Sequence, residues 1–171
     1  MPASTPLGKD LIQKWFKTQK NIKSIVDIGP GEGTYFKLLG KKYYWTGIEI
    51  WQENIDKYKL EKKYNKIIND DFSKMPGLPI ADCIILGDVV EHLEKYIAYN
   101  LLRRIINQYP HVVISIPIGE YVQGPLDGNP YEEHKSYWTY EEIEDLTSWR
   151  MTKTYIIDPD LPNLKIGVFI K

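Results

Sequence analysis

Short runs of β-branched residues alternate along the chain with segments whose apolar positions recur at helical spacing. Leu11, Ile12, Trp15 and Phe16 predict an amphipathic helix over 8–20. Ser24 to Ile28 reads as a buried strand, and the Gly-rich turn from Gly29 to Gly33 opens a helix that runs to about Leu39. Trp45 to Ile50 is a second strand, followed by a helix to about Tyr58, and Lys66 to Asn69 is a short third strand. Ala81 to Gly87 forms a fourth; after it Ile97, Leu101, Leu102, Ile105 and Ile106 share one helix face. His111 to Ile116 supplies a fifth strand ended by Pro117, and Ile118 to Ser136 is loop by composition. Thr139 and Glu142 have the spacing of a capping box, in which each side chain satisfies an orphan amide of the other at a helix start, and Ile143 and Leu146 point inward from that helix. Thr152 to Ile157 and Leu164 to Ile170 close the chain as an antiparallel pair joined through Asp158, Pro159, Asp160 and Pro162. Strands alternating with helices imply an α/β domain with a parallel sheet, right-handed crossovers and helices on both faces. Ligands of such sheets lie outside the carboxyl ends of the strands.

Composition narrows the class. The 171 residues are 43% hydrophobic and 26% charged, which suits one globular domain spanning 1–171; a chain of this size buries roughly 70% of its unfolded surface without staples. No repeat or Gly/Ser linker divides it. The apolar runs are a few residues long, against about 20 for a bilayer span, so no membrane association is expected. Met1 to Gly8 has no secretory pattern, and the single Cys83 has no intramolecular disulfide partner. A cytoplasmic location is the expectation. The net charge of −1 conceals a division: residues 1–75 carry 14 Lys against 9 acids, and residues 76–171 carry 5 Lys and 3 Arg against 14 acids. Only Arg103, Arg104 and Arg150 offer the forked donors suited to guanine edges, which argues against duplex DNA as partner.

The segment from Val26 to Thr34, VDIGPGEGT, carries the first chemistry. Glycine permits the chain to turn sharply off a strand and pass close to a ligand. A phosphate-binding P-loop would need Gly-Lys-Ser/Thr, which Glu32, Gly33 and Thr34 do not supply; a dinucleotide loop would need Gly at 34. Asp27 and Glu32 flank the turn and would repel a pyrophosphate. S-adenosylmethionine, a sulfonium with an ammonium and no phosphate, suits acidic neighbours. Glu49 ends the second strand, placed to accept ribose hydroxyls. Asp71 follows the third, placed for an adenine amino group with Phe72 beside it, and Gly87 and Asp88 close the fourth beside the methionine portion.

Together VDIGPGEGTY at 26–35, GIEI at 47–50, NDDF at 69–72 and LGDVVEHL at 86–93 resemble the class I S-adenosylmethionine-dependent methyltransferases, over Ser24 to Lys171. The resemblance implies a three-layer sandwich whose seven-stranded sheet is mostly parallel, with an antiparallel C-terminal strand inserted beside the fifth. It also implies S-adenosylmethionine as cofactor, held by Asp27, Gly29, Gly31, Gly33, Tyr35, Glu49, Ile50, Asp71, Phe72, Gly87 and Asp88.

Methyl transfer from a sulfonium is an in-line displacement that needs chiefly orientation, and a base only where the acceptor loses a proton. His134, Asp88 and Glu91 are the candidates, with a histidine best suited near neutral pH. In a helix beginning after Asp88, residues 88, 91 and 92 share one face. The segments DVVEHL and EHKSYWTYEEI also resemble the small-RNA 2′-O-methyltransferases; that resemblance implies a divalent metal on Asp88, Glu91, His92 and His134, although Asp88 stands where a glutamate is usual. The favoured expectation is transfer to a small or compact acceptor without metal, the alternatives being metal-dependent RNA methylation and a catalytically silent S-adenosylmethionine-binding protein. A core of 24–171 leaves residues 1–23 and the loop at 118–136 for acceptor recognition, so either the acceptor is small or a second copy or partner subunit adds surface. Tyr121, Tyr131, Tyr137, Trp138 and Tyr140 in and after that loop offer faces for a planar acceptor.

Overall fold

A computed structural model describes residues 5–147, 154–157 and 165–171. The strands are β1 (Ser24–Ile28), β2 (Tyr44–Glu49), β3 (Lys66–Asn69), β4 (Cys83–Gly87), β5 (His111–Ile118), β6 (Thr154–Ile157) and β7 (Lys165–Ile170). The helices are α1 (Lys9–Thr18), α2 (Thr34–Leu39), α3 (Gln52–Tyr58), α4 (Lys95–Gln108) and α5 (Tyr140–Thr147). One sheet has the order β3-β2-β1-β4-β5-β7-β6. The pairs β3/β2, β2/β1, β1/β4 and β4/β5 are parallel, and β7 runs antiparallel to both β5 and β6. The expected linker Asp158, Pro159, Asp160 and Pro162 lies outside the described residues, as do Thr152 and Leu164.

Two apolar clusters occupy the two sheet faces, and the pleat decides which residues go to which. Val26, Ile28, Ile84, Leu86, Val112 and Ile114 pack with Leu101, Leu102 and Ile105 of α4 and Ile143 of α5. Ile25, Trp45, Cys83, Ile85 and Val113 pack on the other face with Ile12 and Phe16 of α1, Phe36 of α2 and Ile55 of α3. This is the three-layer arrangement, with α1, α2 and α3 on one side and α4 and α5 on the other. The capping box at α5 forms in both directions: Thr139 N–H donates to Glu142 Oε2 at 2.9 Å, and Glu142 N–H to Thr139 Oγ1 at 3.2 Å.

Two expectations need correction. Pro117 does not end β5; the strand continues to Ile118, with Pro117 opposite Ile166 of β7. The ladder to β4 stops at Gly87 opposite Ser115, so beyond that point β5 is paired on one side only, and a residue without N–H is tolerated there. The helix after β4 also fails to start at Asp88. Asp88 has φ 55, a single 3-10 turn covers Val90–His92, Leu93 is extended, and α4 begins at Lys95. Asp88, Glu91 and His92 therefore do not share an α-helical face.

Candidate functional site

A cavity of about 500 Å³ opens at the carboxyl ends of the strands, on the side where the chain order reverses between β1 and β4. This is the crevice at which open α/β sheets take ligands. Its floor is the turn from β1 into α2. Gly29 has φ 58, and a Cβ built on it would stand 2.9 Å from Val89 Cγ2, so the turn requires glycine twice over, for its dihedrals and for its space. At the end of β4, Gly87 lets the Tyr35 ring lie directly on the strand, where any Cβ would collide with it.

The expected cofactor residues divide into two sets. Gly29, Gly31, Tyr35, Glu49, Ile50, Asp71, Phe72, Gly87 and Asp88 all line the cavity. Asp27 and Gly33 do not. Asp27 shares its strand parity with Ile25 and so faces the α1–α3 layer, where it is 1% exposed and accepts a hydrogen bond from Tyr64 Oη at 2.6 Å. Burial raises its pKa to about 7 against the pull of Tyr64 and Lys9. Gly33, with φ 83, precedes α2 rather than touching the cavity. Glu32 is paired with Lys37 at 3.0 Å, so neither acid that flanks the glycine turn enters the cleft.

The acids that do line it are held in place. Glu49 is 4% exposed; Oε2 accepts the Gly31 N–H at 3.2 Å and Oε1 the Trp51 N–H at 3.0 Å, and burial raises its pKa. Asp71 accepts from Ser73 N and Oγ at 3.0 and 2.6 Å and meets Lys74 Nζ at 2.9 Å; partial burial pushes its pKa up, but these partners hold it below the ordinary value. Asp88 accepts the Thr5 N–H at 3.1 Å on Oδ2 and the Ser115 hydroxyl at 3.2 Å on Oδ1.

The loop after β5 folds back over the cavity because its backbone is tied to the 3-10 turn: the N–H groups of Lys135 and Ser136 both donate to Glu91 O, at 2.8 and 3.0 Å. This brings His134 to His92, with ring centroids 5.0 Å apart. His92 Nδ1 lies 3.1 Å from Glu133 O and His134 Nδ1 lies 2.7 Å from Tyr121 O. A carbonyl partner requires the proton on Nδ1, so each Nε2 carries a lone pair. Burial lowers both pKa values, that of His92 to about 4. Glu91 is 2% exposed, its Oε2 has no hydrogen-bond partner, and burial with the nearby Asp88 raises its pKa well above the carboxylate range. One ligand atom each of Glu91, His92 and His134 falls within 4.8 Å of the others, so these three could hold a metal ion; Asp88, expected as a fourth ligand, is not in the group. An unpartnered carboxylate oxygen beside two anchored, neutral imidazoles is a chemically fitting donor set.

Sequence reasoning missed Lys9, Thr5, Tyr64 and Ser115, which fix Tyr35, Asp88 and Asp27 from 26 to 83 residues away along the chain. Lys9 carries no signal in the local pattern, yet it is 6% exposed.

Solved structures resemble the whole architecture. The N-terminal domain of EvdMO1, described in the presence of SAH and D-fucose, matches with a TM-score of 0.72 at 12% identity, covering 98% of this chain and 83% of that one. A SAM dependent methyltransferase from Archaeoglobus fulgidus matches at 0.70 and 16% identity, covering 96% and 92%. The 1,6-didemethyltoxoflavin-N1-methyltransferase of Burkholderia thailandensis, with bound 1,6-didemethyltoxoflavin and S-adenosylhomocysteine, matches at 0.69 and 16%, covering 96% and 76%. A comparison with curated proteins gives no significant match. Among the described residues no helix is long and apolar enough to cross a membrane. Residues 6–155 match the family model described as a methyltransferase domain, and with the class I architecture around this cleft the chain belongs to that methyltransferase family.

Proposed function

We propose that this protein transfers the methyl group of S-adenosylmethionine to a small acceptor that enters under the loop after β5. One observation carries the reading: Gly29, Gly31, Glu49, Asp71, Phe72, Gly87 and Asp88, drawn from four strand ends, line a single cavity that also admits His134. Glu49 takes the ribose hydroxyls, Asp71 and Phe72 the adenine, and Gly87 with Asp88 the methionine portion. Asp27 and Gly33 shape the turn without touching the ligand. The sulfonium is already an activated leaving group, so the protein's contribution is to hold the acceptor's nucleophile and the methyl carbon in line. Where the acceptor must lose a proton, His134 Nε2 takes it; depressed basicity and an anchored Nδ1–H keep that nitrogen unprotonated at neutral pH. Glu91, raised toward its protonated form, and Asp88, already held by Thr5 and Ser115, are poorer bases. The neighbour with bound 1,6-didemethyltoxoflavin supports a small planar acceptor, and Tyr121 and Tyr131 line this cavity.

A second reading rests on the convergence of Glu91, His92 and His134. A divalent ion there would lower the pKa of a bound acceptor hydroxyl. RNA as that acceptor has little support, because Lys74 and Lys135 are outnumbered in the lining by Glu49, Asp71, Asp88, Glu91, Glu94 and Glu132. Calorimetry with S-adenosylmethionine, followed by a radiolabelled methyl-transfer screen of small molecules and short RNAs with and without Mn²⁺, tests these readings. No binding at millimolar cofactor refutes the proposal. Binding without transfer to any acceptor favours the silent binding protein, and transfer that requires Mn²⁺ favours the metal.

A further inference from the structure

Lys9 is the least expected component of the cleft wall. It lies in the first turn of α1, is 6% exposed, and donates from Nζ to Tyr35 Oη at 2.6 Å while standing 3.9 Å from Asp88 Oδ2. Tyr35 and Asp88 line the cavity; Lys9 stands behind them, outside the lining. Tyr35 rests on Gly87, and Asp88 is in the left-handed region at φ 55 with the Thr5 N–H on the same carboxylate oxygen that faces Lys9. An ammonium is costly to bury unless its partners need it. A methionine would fill the same space at a helix start with no such cost.

We infer that Lys9 is a positioning residue for the amino-acid tail of the cofactor, acting through Tyr35 and Asp88. The inference rests on the reading that S-adenosylmethionine occupies the cleft with its methionine end at Gly87 and Asp88. That tail is a zwitterion and needs a carboxylate for its ammonium and a polarised donor or positive field for its carboxylate. Asp88 supplies the first. The Lys9 ammonium, donating to the phenol oxygen of Tyr35, polarises that hydroxyl as a donor and brings a buried positive charge beside these two residues. It also offsets the field of Asp88, and those of Asp27 and Glu91 where they ionise; burial lowers its pKa against the pull of these three. Loss of Lys9 removes the charged donor on Tyr35 Oη and the ammonium 3.9 Å from Asp88 Oδ2.

The test compares S-adenosylhomocysteine with 5′-methylthioadenosine, which shares the adenine, ribose and thioether but lacks the amino-acid tail. Both are titrated calorimetrically into the wild-type chain, Lys9→Met and Tyr35→Phe, with melting curves to show that each variant is folded. A lost charge-assisted hydrogen bond predicts that Lys9→Met weakens S-adenosylhomocysteine about tenfold or more and leaves 5′-methylthioadenosine unchanged. Tyr35→Phe gives the same tail-selective loss, and unchanged tail binding in it refutes the path through Tyr35 even if Lys9→Met does not fold. Equal weakening of both ligands, or unchanged binding of S-adenosylhomocysteine in a folded variant, overturns the inference. A wild-type chain that binds neither ligand overturns the cofactor reading itself.

Discussion

Asp27 beneath the glycine turn gives the sharpest quantitative expectation. Its folded pKa is about 7, raised chiefly by burial from an ordinary 3.8. Between those two values the folded state binds a proton that the unfolded chain has released, so stability falls as pH rises through this window. The rise from 3.8 to about 7 corresponds to roughly 4 kcal/mol, fully present below pH 3.8 and lost above about pH 7. Asp27→Asn has no such dependence. At low pH the variant is less stable than wild type by about 1–3 kcal/mol, because its amide N–H₂ lies among groups chosen for a carboxyl. As pH rises the difference moves in the variant's favour by up to roughly 4 kcal/mol. Glu91, also raised, titrates in both proteins and cancels from the difference, and Glu49, whose charge adds a minor part of the Asp27 shift, cancels apart from that coupling. Denaturant unfolding at pH 5, 6, 7 and 8 reads the two free energies. A difference that is flat with pH, or that moves against the variant, refutes the placement of Asp27 as a buried acid and restores it as a solvated ligand contact.

Other expectations follow from single contacts. Gly29→Ala should cost about 1–3 kcal/mol in a thermal melt, from positive φ together with the approach to Val89; a loss below about 0.5 kcal/mol would mean the turn relaxes. Glu49→Ala should weaken S-adenosylmethionine about tenfold or more by calorimetry, since it removes the proposed ribose acceptor and frees the Gly31 N–H. His134→Ala should leave cofactor binding intact and reduce methyl transfer about 10²–10⁴-fold if the acceptor loses a proton, an outcome read as S-adenosylhomocysteine formed per minute with the acceptor from the screen. Thr139→Ala should lower stability by about 1 kcal/mol through loss of one half of the capping box, checked by denaturant titration.

Features written in local pattern were legible. β3 at Lys66–Asn69, the Gly-rich turn, the capping box at Thr139 and Glu142 and the inward face of α4 each depend on residues within a few positions of one another, where strand and helix periods fix which side chains point the same way. Strand-end acids were legible for a related reason: parallel strands expose their carboxyl ends together, so Glu49, Asp71 and Asp88 had to meet at one edge.

Long-range partners decided the rest. Whether Asp27 entered the cleft depended on strand parity and on Tyr64, 37 residues on, which claims its carboxylate. Pro117 continued its strand because β4 had ended opposite Ser115 and β7 pairs with the other side. Glu91, His92 and His134 came together because the loop amides of Lys135 and Ser136 found the Glu91 carbonyl, a contact no periodicity encodes. Lys9 became a buried ion only because α1 packs against α2 and the end of β4. The sequence by itself therefore determined the layers and the edge of the sheet where a ligand sits, since both follow from short-range period and chain direction. Which acids face that ligand, and which cation stands behind them, was left to tertiary packing, because a buried charge takes its meaning from partners that local pattern does not specify.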